Sequence, residues 1–142
     1  MTEADFTRKV NAILTNEYGV YCEKMFNPMR GGTPDCWYSK KGSPDVWVEF
    51  KYHKTLPVRG RDVGCSELQK RWLLARHEEG RKVFVVVGTP EGVAIYPVSF
   101  LKMTGWKCYS RDFEEGKNVS RIAADKLASF MKWSRLDGDE NK

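Results

Sequence analysis

The segment from Val46 to Val87 constrains the fold more than any other part of the chain, because it reads as strand, helix, strand. Val46 to Tyr52 alternates apolar and polar residues, as a half-buried strand does. A helix is predicted to begin at Ser66 and to end at Gly80. The apolar run from Val83 to Val87 is typical of a strand buried on both faces. Since such units cross over with a right hand, we expect the two strands to pair in parallel.

The remaining pattern predicts elements on both sides of this unit. Residues 3–17 carry an apolar stripe at helical spacing, and residues 20–26 and 36–39 read as two strands. Residues 93–96 read as an edge strand, and a final amphipathic helix follows a loop that contains Trp106 and Tyr109. These two aromatics and Trp133 suit either a core or a binding platform. We therefore expect an α/β fold with a central mixed sheet of roughly four or five strands flanked by helices, in the order αβββαβ, with a C-terminal helical extension.

Length and composition favour a single intracellular domain. The 142 residues fit one domain, with a core at about residues 3–96, an extension at 97–136 and a frayed tail at 137–142. No run approaches the roughly 20 apolar residues of a membrane span, and the N-terminus lacks the pattern of a signal peptide, so we expect a cytoplasmic protein of prokaryotic or viral origin. The four cysteines are widely spaced, which disfavours a zinc site and favours reduced thiols.

The net charge of +5 is concentrated in the middle of the chain. Residues 40–82 contain 11 Lys and Arg against 6 Asp and Glu, whereas the remainder contains 13 of each. A localised basic surface suits a nucleic-acid ligand, although charge alone is equally compatible with a solvated face.

The hairpin between Gly31 and Lys51 carries the residues with the clearest chemistry. Asp35 precedes the first arm, and the second arm contains Glu49 and Lys51, which share one face because strand side chains alternate. Two carboxylates can hold Mg²⁺ for phosphodiester hydrolysis, with the carbonyl of Phe50 as a third oxygen. The lysine would orient or deprotonate water, or offset negative charge, and a bound metal would lower its pKa. Asp45 is a competing ligand, but it lies too close to Glu49 in sequence to face it across a hairpin.

Four ordered motifs resemble those of the PD-(D/E)xK nuclease superfamily, above all its VRR-NUC family and the archaeal Holliday-junction resolvases. They are Gly32-Thr-Pro-Asp35, Val48-Glu-Phe-Lys51, Ser66-Glu-Leu-Gln69-Lys-Arg-Trp-Leu and Gly80-Arg-Lys-Val-Phe-Val-Val. The resemblance implies a restriction-endonuclease-like core, metal ligands at Asp35 and Glu49, a catalytic lysine at Lys51 and an active-site glutamine at Gln69. Ser66 and Gln69 also have the spacing of a helix capping box. The family carries an acid on its first helix, for which Glu3 is favoured and Glu17 stays open.

The residues and the resemblance together predict a DNA endonuclease that depends on Mg²⁺, with Mn²⁺ as a substitute and without an iron–sulfur cluster. Its substrate is expected to be branched DNA such as a four-way junction, cut by a homodimer. Alternatives are a restriction-like or repair nickase on duplex DNA, a catalytically inactive nucleic-acid-binding module of the same fold, and an unrelated protein-interaction domain. The side chains expected to contact phosphates are those of Arg30, Lys40, Lys41, Lys54, Arg59, Arg61, Lys70 and Arg71.

Overall fold

The computed structural model describes residues 1–25, 32–57, 60–96, 98–102 and 113–136, without the side chains of residues 60, 61, 100 and 102. The predictions that fall on Arg30, Arg59, Trp106, Tyr109 and the tail 137–142 lie outside these residues. The helices are α1 (Glu3–Tyr18), α2 (Glu67–Glu78) and α3 (Val119–Met131), and the strands are β1 (Tyr21–Lys24), β2 (Cys36–Ser39), β3 (Val46–Tyr52), β4 (Lys82–Thr89), β5 (Gly92–Tyr96) and β6 (Glu114–Glu115). Two 3-10 turns span Gly60–Val63 and Val98–Lys102.

The strands form one mixed sheet in the order β1-β2-β3-β4-β5-β6. Strands β3 and β4 pair in parallel, as the sequence predicts, and every other neighbouring pair is antiparallel. The prediction that residues 93–96 form an edge strand is wrong, because β6 pairs with β5 at Gly92 and Val93. A side chain on Gly92 would lie 2.3 Å from the Glu114 carbonyl oxygen, so only glycine permits this approach.

Hydrophobic clusters cover both faces of the sheet. On one face, the predicted stripe of α1, including Phe6, Val10 and Leu14, packs against inward residues of β3 such as Val48 and Phe50. On the other face, Leu73 of α2 packs against the β4 valines. Each face of the sheet is thereby shielded by at least one helix, and strand β4 is buried along most of its length.

Helix α3 is part of the core rather than an appendage. Ala123, Ala124 and Leu127 are fully buried in the same cluster as α1. Trp133 is 7% exposed and belongs to this cluster, which decides between the two roles predicted for it in favour of packing. The C-terminal helical extension that the sequence predicts therefore packs into the same core over residues 119–133.

The basic loop that follows β3 is held by hydrogen bonds to the carbonyl oxygens of Pro57 and Val63. Val63 is fully buried, and its carbonyl oxygen lies 2.8 Å from Nε2 of His53. The sequence shows no periodicity that would mark the 3-10 turn that ends at Val63. No helix among the described residues is long and apolar enough to cross a bilayer.

Candidate active site

Strand pairing brings the two predicted carboxylates together. Strands β2 and β3 pair Cys36 with Val48, and continuing that register places Asp35 opposite Glu49. The Asp35 backbone N–H donates to Oε1 of Glu49 at 3.1 Å, and the Phe50 N–H donates to Oδ2 of Asp35 at 2.8 Å. The hairpin therefore fixes both carboxylates through backbone donors.

Burial and mutual repulsion make both carboxylates reluctant to ionise. The Glu49 side chain is 1% exposed, and burial, followed by the charge of Asp35, raises its pKa to about 7. Burial also raises the pKa of Asp35, against the opposing influence of the Phe50 N–H and of Lys51. Like charges directly opposite on neighbouring strands are unfavourable, so this pair has a physical reason to attract a cation.

Lys51 points into the same site. Its Nζ lies 3.1 Å from Oε2 of Glu49, and its side chain is 13% exposed. Burial, the largest single influence, lowers the pKa of Lys51, but the charge and hydrogen bond of Glu49 outweigh it and leave the pKa above its ordinary value. The lowered pKa expected from the sequence referred to a metal-loaded site. Without metal, the structure favours the protonated ammonium.

Gln69 performs both roles that its position suggests. Its Oε1 accepts the Ser66 N–H at 3.0 Å, and the Ser66 hydroxyl accepts the Gln69 N–H at 3.1 Å, which completes the capping box of α2. Its Nε2 donates to Oε2 of Glu49 at 3.0 Å. Because the cap engages the amide oxygen, the nitrogen is the end that faces the carboxylate.

The two acids that the sequence leaves open on α1 lie in different environments. The pKa of Glu49 is raised mainly by burial and by the charge of Asp35, and the charge of Glu3, in the first turn of α1, adds a smaller increase. Glu17, near the other end, forms ion pairs with Arg121 and Arg135 at 2.5 Å each. Only Glu3 is thus close enough to act electrostatically on the site.

The donors present fit a hard divalent cation. Among the described residues there is no group of three or more His, Cys, Asp or Glu side chains suited to a metal ion. Two carboxylates are nevertheless what Mg²⁺ commonly takes from a protein, with waters and substrate phosphate completing its shell. A third oxygen is available from Phe50: its N–H faces the β2 edge, and the N–H and C=O of one strand residue point to the same edge.

Comparison with known folds supports this architecture. The fold is similar to that of Hjc, a Holliday junction resolvase from the archaeal hyperthermophile Archaeoglobus fulgidus, with a TM-score of 0.56 and 18% sequence identity. The match covers 87% of this chain and 98% of the resolvase. The chain shares the overall fold of this resolvase. The predicted restriction-endonuclease-like core is therefore confirmed.

The chain is also similar to a VRR_NUC domain, over 63% of the chain and 87% of that domain, at 23% identity and a TM-score of 0.49. No protein-family model matches the sequence, and no curated protein matches it significantly.

The predicted basic residues divide between two ends of the sheet. Lys54 follows β3 at the end where the candidate site lies, and Lys70 and Arg71 lie in the first turns of α2 beside Gln69. Lys40 and Lys41 lie in the β2–β3 turn, about 16 Å from Asp35 at the rise of a strand. These two lysines therefore do not lie beside the carboxylates, and their contact with phosphates stays a prediction.

Lys40 also has a structural partner. Its ammonium donates to the carbonyl oxygen of Tyr18, at the C-terminal end of α1. This contact accounts for a lysine at position 40 without requiring that it bind a phosphate. The structure describes the backbone of Arg61 in the 3-10 turn but not its side chain.

Two neighbours of the site are missing from the prediction. Lys24 of β1 pairs with Cys36. Its positive charge lowers the pKa of Asp35, although burial, the Phe50 N–H and Lys51 each have a larger effect on that pKa. Cys65 is buried beside Lys51 and Glu49, and burial raises its pKa to about 11. The strand register would have located Lys24 had β1 been aligned with β2, whereas no sequence pattern marks Cys65.

Proposed function

We propose that this protein is a divalent-metal-dependent DNA endonuclease that cuts branched DNA. The observation that carries the proposal is the meeting of Asp35, Glu49 and Lys51 at one buried point, with Gln69 holding Glu49 in place. Two opposed carboxylates and an ammonium supply what phosphodiester hydrolysis needs, namely oxygen ligands for a cation and positive charge for the phosphate.

Asp35, Glu49 and the Phe50 carbonyl would hold Mg²⁺, with Mn²⁺ as a substitute. The bound ion would activate water and stabilise charge on the phosphoryl oxygens. We propose that Lys51 acts as a cation that contacts the phosphate, because its ammonium lies 3.1 Å from Oε2 of Glu49 in the same site.

Gln69 and Glu3 act as positioning residues in this proposal. Gln69 fixes the orientation of the Glu49 carboxylate, because its amide is itself held by the N-cap of α2. Glu3 adds negative charge near the same group and so increases the preference of the site for a cation.

A branched substrate is supported by the similarity of this fold to Hjc, a Holliday junction resolvase. Lys54, Lys70 and Arg71 suit phosphate contacts near the site, and Arg30, Arg59 and Arg61 remain candidates. We propose that the protein acts as a homodimer, since symmetric cutting of a junction needs two active sites.

The test is cleavage of matched DNAs by the wild-type protein and three single variants. Four-way junctions, flaps and linear duplex are incubated with Mg²⁺, Mn²⁺ or EDTA. Asp35→Asn and Lys51→Ala are expected to abolish cleavage of the junction while retaining DNA affinity in EDTA. Asp45→Asn is the matched control, because Asp45 is exposed and lies at the opposite end of β3.

Each result separates the proposal from an alternative. Equal cutting of junction and duplex would indicate a restriction-like or repair nickase. Salt-dependent DNA binding without cleavage in either metal would indicate an inactive binding module. Cleavage that persists in Asp35→Asn and Lys51→Ala would remove the proposed site.

A further inference from the structure

Three aromatic side chains on the central sheet lie outside both hydrophobic cores. Tyr21 of β1, Trp37 of β2 and Trp47 of β3 belong to neither cluster, although Trp72 and Trp133 each pack against one. Tyr21 is 55% exposed, and both tryptophans are partly exposed. Large aromatic side chains gain most from burial, so an aromatic group left at the surface of a sheet suggests a binding surface.

These aromatics form a continuous row across the strands. Trp37 pairs directly with Trp47 in the β2–β3 register. The Tyr21 and Trp37 rings meet edge to face with centroids 5.7 Å apart, and Trp47 and Trp72 are 6.3 Å apart. On this face, none of the described helices packs mainly on β1 or β2. Helix α1 packs on the opposite face of the sheet, and α2 packs on β4.

The row lies immediately beside the proposed metal site. Trp37 is two residues from Asp35 on β2, and Trp47 is two residues from Glu49 on β3, so both pairs share one face of the sheet. Two strand residues span about 7 Å, a distance that one nucleotide bridges. A base attached next to the scissile phosphate would therefore reach the aromatic row.

The polar groups of the row suit a base better than a phosphate. The Nε1 of Trp37 is shielded from solvent and has no hydrogen-bond partner among the described residues. Buried donors are rarely left unpaired, so this one would gain from a ligand acceptor that displaces the groups covering it. The exposed carboxylate of Glu23, opposite Trp37, would repel a phosphate but can accept a base amino group.

From these observations we infer that Trp37 and Trp47, with Tyr21 at the margin, form a stacking surface for one unpaired nucleobase adjacent to the cut phosphate. The inference rests on the proposed nuclease function and refines its substrate class, to branched DNA that carries an unpaired nucleotide beside the cleaved bond. Aromatic stacking accepts any base, so the surface selects for an exposed base and not for a sequence.

The test compares two DNAs that differ only in one base. A branched DNA with a single unpaired thymine beside the branch is matched with the same DNA carrying an abasic site there, and affinities are measured by fluorescence anisotropy in EDTA. The wild-type protein is expected to bind the thymine DNA about tenfold more tightly. Trp37→Leu and Tyr21→Ser are expected to reduce that ratio, with Trp37→Leu bringing it close to one.

The control is Phe130→Ser, which removes an exposed aromatic of α3 far from the row and should leave the ratio unchanged. Thermal unfolding of each variant checks that it folds, and Tyr21→Ser keeps the test valid if Trp37→Leu does not. Quenching of tryptophan fluorescence by the thymine DNA, and not by the abasic DNA, is a second expected sign of stacking.

A wild-type ratio of one, or a ratio unaffected by both substitutions, would overturn the stacking surface. If Asp35-dependent cleavage persists in that case, the proposed function stands and only the surface is wrong. If the protein neither binds nor cuts DNA, both fail. A change in sedimentation mass in Trp37→Leu, with the ratio preserved, would show instead that this face joins two copies of the chain.

Discussion

The hydrogen bond between Gln69 and Glu49 gives the sharpest test of how the site is held. Gln69→Leu removes the Nε2 donor to Glu49 and the Oε1 acceptor for the Ser66 N–H. Ser66→Ala is the matched control, because it also removes one bond of the capping box but leaves the donor to Glu49 in place. The difference between the two variants therefore isolates the contact with the carboxylate.

The magnitudes follow from the burial of Glu49. Losing one cap bond costs about 1 kcal/mol, so Ser66→Ala should lower the free energy of unfolding by that amount. A hydrogen bond to a charged group contributes roughly 1.5–3 kcal/mol, and Glu49 is 1% exposed, so water cannot replace the lost donor. We expect Gln69→Leu to lower the free energy of unfolding by about 2–4 kcal/mol and to weaken metal affinity and cleavage roughly 10- to 100-fold.

Urea unfolding gives the stability of both variants, calorimetric titration with Mg²⁺ or Mn²⁺ gives the metal affinity, and junction cleavage gives kcat/KM. Ser66→Ala should retain metal affinity and kcat/KM within about threefold. Equal losses of metal affinity in the two variants would show that the cap alone matters. Wild-type metal affinity and cleavage in Gln69→Leu would refute the assigned role.

Three further predictions concern stability. Glu17→Gln should lower the free energy of unfolding by about 1 kcal/mol near pH 7, since the carboxylate is 34% exposed and screened by solvent. Hydrogen bonding to Arg121, the largest cause, lowers the pKa of Glu17 in the folded protein to about 2. Urea unfolding should therefore show the full difference above about pH 4.5 and a shrinking difference as the pH falls towards 2. Trp133→Ala should lower the free energy of unfolding by about 3–5 kcal/mol, because the buried ring leaves a cavity, and thermal unfolding measures this. Gly88→Ala should cost about 1–3 kcal/mol by the same measurement, because a new Cβ would lie 2.8 Å from the Phe6 ring, and a neutral effect would show that the ring moves freely.

Local periodicity and hairpin register were enough to predict the centre of the site. Strand alternation puts Glu49 and Lys51 on one face, and an antiparallel turn brings Asp35 opposite Glu49. Both signals are short in range and survive in a single sequence. The capping box at Ser66 and Gln69 is equally local, and the structure uses the same glutamine for the cap and for Glu49.

Other features depend on distances that sequence patterns do not encode. Glu3 and Glu17 are 14 residues apart, nearly four helical turns, so both share the apolar stripe although about 21 Å separates them along the axis. Lys40 and Lys41 are near Asp35 in sequence but lie at the opposite end of an extended strand. Strand β6 has two residues, too few for any alternation, and depends on the absence of a side chain at Gly92.

The end of the β2–β3 pairing beside Asp35 explains how the Asp35 carboxylate is positioned. Continuing the β2–β3 register would place Pro34 opposite Phe50, but proline has no N–H to donate to the ladder. The Asp35 carboxylate accepts the Phe50 N–H in place of a strand carbonyl. With no N–H from Pro34, the Phe50 carbonyl at the same edge is left for another ligand. This end of the pairing therefore positions the Asp35 carboxylate opposite Glu49, so a cation there would compensate two opposed charges together.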